Sequence, residues 1–219
     1  MSNINFEILN FNPIPIGTFN FEESFITKEQ IEIFKQLYYE RNTQSPVLVA
    51  SGDKDHILSS PEFEYLKKCF DQAVNMYTSE VLQLKNNFKM IHSWVTKNEK
   101  NSYHSVHTHE NVMLSAVAYF NDELVEEDFA PIIFYGKGLK NIFEDFNFDI
   151  EVKKYNEQNS KSWTIFPKLK QILVFPGHML HQSASNDSDR VRYCIGTNYF
   201  IEGEVGVKKY TRFNISINE

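Results

Sequence analysis

Three side chains in this sequence stand out for the chemistry their type and spacing allow: His107 and His109, one residue apart, and His181 far downstream. On an extended strand successive side chains alternate faces, so His107 and His109 would project the same way. They open an apolar run, residues 112–120, rich in strand formers. Two imidazoles at the mouth of a buried strand suit a transition metal better than they suit water. The second cluster, FPGHMLHQ at 175–182, supplies His178 and His181. Five of the seven histidines fall in these two windows. A metal site built from two distant strands is the natural reading.

The remaining histidines read more plainly. His56 and His92 are expected to be hydrogen-bonded core or surface residues. His104 and His178 precede His107 and His181 by three residues, out of phase with them on a strand, and are expected to support the site or face solvent. Trp94 reads as core rather than as a clamp on a substrate.

These residues need a frame. At 219 residues the chain is long enough for one domain with a sizeable core, and its 42% hydrophobic and 15% aromatic content supports one. Nineteen Phe and eleven Tyr against eight Gly favour a sheet packed with rings. A net charge of −7, with no run of Lys and Arg, gains little from counterion release and disfavours nucleic acid as the main partner. The two cysteines, Cys69 and Cys194, make no disulfide framework or zinc-ribbon spacing, so a reducing, cytoplasmic setting is expected. No apolar stretch reaches the roughly 20 residues of a membrane span.

Residues 1–26 alternate apolar and polar positions around Pro13 and Pro15, a pattern suited to edge strands. Thr27 and Gln30 have capping-box spacing ahead of Ile31 and Phe34, which marks a helix start. Residues 42–55 read as a loop. Ser59, Pro61 and Glu62 announce a longer helix with a stripe of Phe63, Leu66, Phe70, Ala73, Val74, Tyr77, Val81 and Leu84. From residue 88 the period changes to two, with strands expected at 88–95, 112–120, 131–135, 163–166, 171–175, 192–200 and 210–217. Strands without intervening helices point to an antiparallel sandwich or barrel braced by the helices. The boundaries expected are a single domain over 1–219, with bracing elements in 1–87, a catalytic core in 88–219, and a lid-like insertion at 136–162.

The ordered set His107-x-His109, His181 and Arg192 resembles the Fe(II)/2-oxoglutarate-dependent oxygenase superfamily, and most closely its bacterial and phage branch with an H-x-H…H motif. Trp94, Leu114–Phe120 (LSAVAYF), Leu173–Pro176 and Asn198 complete the likeness, which covers about half of the chain. The resemblance implies a mainly β fold with flanking helices, a double-stranded β-helix (jelly roll, cupin-like). It also implies Fe(II) as metal, 2-oxoglutarate as co-substrate, and hydroxylation of a small molecule or peptide side chain with release of succinate and CO2. His107, His109 and His181 would hold the metal. A buried C5 carboxylate needs a cation, and Arg192 offers a planar two-donor fork, with Tyr119 and Asn198 as further contacts. Two alternatives stay open: Glu110 in place of His109, and Arg190 in place of Arg192. Most superfamily members have Asp or Glu where His109 stands, and Cys194 replaces a frequent hydroxyl.

Other uses of the same residues are a cupin-like metalloprotein, a three-His zinc enzyme and a jelly-roll interaction module. PGHMLH is close to a cupin's second motif, but Met113 and Leu114 stand where cupins carry Glu. The expected partner is a small molecule or peptide, with no membrane and with a homodimer as an admissible assembly.

Overall fold

The computed structural model describes residues 14–50, 56–126, 129–136, 151–157, 159–207 and 210–217. Two antiparallel sheets face each other. The larger runs β1 (Gly17–Asn20), β9 (Gln171–Pro176), β6 (Leu114–Asn121), β11 (Arg192–Val205), β4 (Asn87–Asn98), β3 (Leu48–Ala50), β2 (Glu40–Arg41), with β12 (Phe213–Ile215) paired to the far end of β11. The smaller runs β5 (His104–His107), β10 (Leu180–Ser183), β7 (Ile132–Tyr135), β8 (Ser162–Ile165). From β4 to β11 the chain crosses between the sheets at every step except β7 to β8, which pair within the smaller sheet, and this is the double-stranded β-helix.

Period-two patterning explains the layering. One parity of the large sheet (Ala116, Ala118, Phe120, Ile172, Val174, Tyr193, Ile195) packs against the helices. The other parity (Val117, Tyr119, Leu173, Phe175, Cys194) joins Ile132 and Phe134 of the small sheet in the space between the sheets. Every residue of β6 is buried, since both of its faces are covered.

Two helices brace the outer face. α1 (Lys28–Gln36) starts with the expected capping box: Gln30 N donates to Thr27 Oγ1 at 3.2 Å and Thr27 N donates to Gln30 Oε1 at 3.1 Å. Gln30 Nε2 then donates to Glu62 O at 2.7 Å and ties α1 to the start of α2. Phe34 stacks on Phe63 at 4.9 Å and is fully buried. In α2 (Glu64–Met76) the stripe Leu66, Phe70, Ala73, Val74 is buried as the period requires.

Four local expectations need correction. The hydroxyl of Ser59 caps nothing and donates to His56 O, because two 3-10 turns, Ile57–Ser59 and Pro61–Phe63, precede α2. A π turn, Tyr77–Val81, shifts the helical phase, so Val81 and Leu84 are exposed while Tyr77 stays buried. The loop at 42–55 is flanked and entered by strands, β2 and β3, which pair with each other and extend the sheet beyond β4. The short strands β5 and β10, absent from the periodic reading, carry two of the three key histidines. The N-terminal pattern through Pro13 and residues 137–150 of the expected lid lie outside the described residues.

Candidate metal and co-substrate site

His181 and His107 are cross-strand partners on β10 and β5, with ring centroids 4.3 Å apart. His109 lies just past the end of β5, so strand alternation is not what aims it. Its backbone N donates to Gly177 O at 2.9 Å, and Gly177 N donates to Met113 O at 3.0 Å, which joins the two histidine windows through the main chain. A Cβ at Gly177 would press on Val112, so glycine permits this close approach. The His109 ring then sits 5.3 Å from that of His107 and 5.1 Å from that of His181. One ligand nitrogen from each lies within 4.8 Å of the others, and no other such cluster of His, Cys, Asp or Glu occurs among the described residues. Glu110 is exposed and outside this cluster.

The tautomers follow from the other ring nitrogens. His107 Nδ1 donates to Ser105 O at 2.7 Å and His181 Nδ1 donates to Met179 O at 2.8 Å. His109 Nδ1 donates to Asn198 Oδ1 at 2.7 Å and lies 2.8 Å from Ser115 Oγ. With each Nδ1 engaged as a donor, each Nε2 carries a lone pair toward the shared space. Burial pushes His181 down to about 3 and His109 down to about 4, and lowers His107 as well. All three are therefore neutral near pH 7, the form a metal needs.

Below the histidines the large sheet stacks its inward residues in level rows. β11 presents Arg192, Cys194, Gly196 and Asn198. These pair with Asn98, Thr96, Trp94 and His92 of β4, and with Asn121, Tyr119, Val117 and Ser115 of β6. The cavity between the sheets is lined at one end by His107, His109 and His181, and at the other by Thr96, Asn98, Tyr119, Ser183 and Cys194. Arg192 is 1% exposed and lies behind this inner end, outside the lining itself and joined to it through Ser183. Its guanidinium donates to Ala130 O and Ser183 Oγ, both at 3.0 Å, and lies 5.5 Å from the Tyr119 ring centre. Ser183 is two residues along β10 from His181 on the same face, a rise of roughly 7 Å. That separation suits a five-carbon dicarboxylate chelated at one end and held at the other, so the residues fit Fe(II) with 2-oxoglutarate.

The other expectations sort themselves by geometry. Arg190 is on the surface, with Nε donating to Glu123 Oε2 at 2.9 Å, whereas Arg192 is buried against Ser183 of the lining. Asn198, expected to touch the co-substrate, accepts through its amide oxygen from His109 Nδ1 at 2.7 Å and from the Ser115 hydroxyl at 2.8 Å. Cys194 is buried in the cavity wall, and burial pushes its thiol up to about 12. Burial likewise raises the Tyr119 phenol, so it stays protonated and able to donate. His104 stacks on His107 at 4.1 Å and lines the cavity, while His178 is exposed. Trp94 is not core: it lines the cavity, 5.5 Å from the His109 ring. Ser115 and Thr96 were legible only as inward positions once the strand registers were known.

Residues 92–198 match the family model described as "Putative 2OG-Fe(II) oxygenase". This stretch belongs to the 2OG-Fe(II) oxygenase family. It makes up just under half of the chain and spans β4 to β11, with all three histidines and Arg192 inside it. No curated protein sequence matches this chain. Among solved structures it is similar to the α-ketoglutarate-dependent epimerase SnoN of nogalamycin biosynthesis, at 9% identity and TM-score 0.55, covering 85% of this chain and 78% of that one. It is similar to a prolyl hydroxylase from Trichoplax adhaerens solved with a hypoxia inducible factor peptide, at 13% identity and TM-score 0.54, covering 84% and 83%. HygX from Streptomyces hygroscopicus, solved with nickel and 2-oxoglutarate, aligns at 10% identity and TM-score 0.51, covering 84% and 83%. At these identities the likeness is one of fold, and the oxygenase fold serves more than one reaction outcome. No helix among the described residues is long and apolar enough to cross a membrane.

Proposed function

We propose that this oxygenase is an Fe(II)- and 2-oxoglutarate-dependent dioxygenase that hydroxylates a small molecule or a peptide side chain. The observation that carries the reading is the pairing of three imidazoles, His181 buried and His107 and His109 half-buried, each with Nδ1 tied off, with a buried guanidinium one inward step below. The net reaction takes substrate, 2-oxoglutarate and O2 to hydroxylated substrate, succinate and CO2. When bound, iron supplies the redox chemistry that couples these changes.

The protein's own residues do the rest. His107, His109 and His181 would hold the metal, and with only three protein ligands the set would leave it room to bind an oxoacid. Three neutral ligands leave the metal its full +2 charge, which strengthens its pull on an anionic oxoacid. Arg192 takes the C5 carboxylate, with the Tyr119 hydroxyl as a second donor. Asn198 and Ser115 hold the His109 ring in one tautomer and one orientation. Residues 1–219 act as one domain in this reading, with the helices as a rigid backing for the large sheet. That rigidity suits a site whose ligand geometry tolerates little drift.

The test is an anaerobic titration with Fe(II) and then 2-oxoglutarate, followed by succinate measurement in air. A weak visible charge-transfer band and 2-oxoglutarate-dependent succinate are expected, both lost in His181→Ala. A protein that binds metal but neither binds nor consumes 2-oxoglutarate would be a cupin-like or zinc enzyme instead.

A further inference from the structure

We infer that His104 is a further co-substrate residue, donating from the small sheet to the same carboxylate that Arg192 holds from the large one. The inference rests on the oxygenase reading above and adds to that site a donor that the sequence spacing hides.

His104 and His107 are three residues apart, which on a regular strand would put them on opposite faces. Their partners on β10 are only two apart: His107 lies opposite His181, and His104 opposite Ser183. β10 pairs with β7 on its other side without any shift, so the extra residue belongs to β5. The resulting β-bulge turns both imidazoles of β5 inward, where both line the cavity. It is pinned from the outer edge of β5. Ser105 N donates to the Oγ of buried Ser45, and Ser105 Oγ donates to Gln44 O, both at 2.9 Å.

The level at which His104 enters the cavity identifies what it meets. His107 and His181 form the metal level, and His104 and Ser183 form the next level inward. Ser183 accepts from the Arg192 guanidinium at 3.0 Å, so His104 enters at the anion end and stands outside the ligand cluster. Its ring stacks on His107 at 4.1 Å with the planes 24° apart, which sets its orientation before a ligand arrives. Each clustered histidine has Nδ1 in a hydrogen bond, whereas among the described residues neither ring nitrogen of His104 has one.

An imidazole carries at least one N–H in either protonation state, so this group is a donor in need of an acceptor. A carboxylate drawn to Arg192 brings its oxygens to that level, and a bond to an ionised acceptor is about twice as strong as a neutral one. Arg192 and Tyr119 approach it from β11 and β6. His104 approaches from β5, so the carboxylate is clamped between the two sheets.

The experiment uses the iron-loaded protein without O2 and compares oxoacids of equal length. One is 2-oxoglutarate; the other is 2-oxovalerate, which ends in a methyl group where 2-oxoglutarate has its distal carboxylate. The concentration of each giving a half-maximal charge-transfer band is read in the parent, His104→Ala and His104→Gln. For 2-oxoglutarate it should rise by about tenfold or more in His104→Ala, the scale of one hydrogen bond to a charged group. His104→Gln keeps an N–H donor and should recover most of that loss. For 2-oxovalerate the parent and His104→Ala should agree within about twofold, since the acceptor is missing. Iron content before the oxoacid is added should match the parent's in both variants.

An unchanged half-maximal concentration of 2-oxoglutarate in His104→Ala would overturn the inference. So would a loss shared equally by 2-oxovalerate, which would mean that the ring only packs against His107. Loss of iron in both variants would make His104 a ligand instead. A parent protein that binds iron but gives no charge-transfer band with either oxoacid would overturn the oxygenase reading, and this inference with it.

Discussion

His107 and His181 face each other across the β5–β10 pair, ring centroids 4.3 Å apart, each with Nδ1 held by a carbonyl two residues earlier in its own chain segment. The same local bond is thus repeated on two strands, and it engages both Nδ1 atoms through main-chain carbonyls alone.

His181→Ala removes one of three ligands and leaves the ion on two. Metal content after dialysis, read by elemental analysis, should fall to background. Far-UV circular dichroism should stay native, because β10 remains paired on both sides. Retention of stoichiometric metal would remove His181 from the site.

Asn198→Ala deletes the acceptor for His109 Nδ1 while leaving the ligand itself in place. Loss of such a supporting contact weakens metal binding by about 10- to 100-fold in general. Ser115→Ala should produce a smaller loss in the same competition titration. An unaltered affinity in Asn198→Ala would show that the His109 ring is held by packing alone.

Arg192→Lys keeps the charge and discards the planar fork. The concentration of 2-oxoglutarate for half-maximal binding should rise by about tenfold or more. Arg190→Ala, on the surface with Glu123, serves as the comparison and should leave that value within about twofold. Equal effects from the two variants would contradict the assignment of the anchor.

The metal-free protein should lose stability on mild acidification. Burial pushes His104 and His181 down to about 3 and His109 to about 4, against 6.5 in an unfolded chain. Below pH 6.5 the unfolded state takes up protons that the folded state refuses. Stability present above pH 6.5 is therefore lost as the pH falls toward 4. Urea melts at pH 7 and pH 5 read this directly, and a midpoint unchanged between them would refute it.

The outer brace can be tested apart from the site. Phe34→Ala opens a cavity against Phe63 and Phe120 and should cost about 3–5 kcal/mol. Thr27→Ala removes the capping box of α1 and should cost about 1 kcal/mol. A reversed order in denaturant melts would mean that α1 is held by its cap more than by its packing.

Much of this was legible in the sequence. The change of period at residue 88 gave β4, β6, β9 and β11 of the large sheet, because each has one face on the helices and one on the inner space. The convergence of His107 with His181 followed from residue type and order alone. His109 joins them for a different reason than alternation, since a backbone bond to Gly177 across the fold aims it. β10 escaped notice because four residues with one inward histidine leave no periodic trace. Trp94 read as core because an indole on a strand usually is, and only the register with Gly196 places it in the cavity wall. Ser59 has the composition of a cap, but Pro61 starts a 3-10 turn first.

Strand β11 carries Arg192 near one end and Asn198, the support of His109, six positions along, within an unbroken ladder to β6. In the function proposed above, a stiff ribbon of fixed pitch would therefore act as a gauge between the metal end and the anion end of the chamber. Oxoacids one carbon shorter or longer than 2-oxoglutarate would reach one terminus and miss the other. Discrimination by chain length is in that sense a property of the backbone, and exchange of the lining side chains would retune it only slightly.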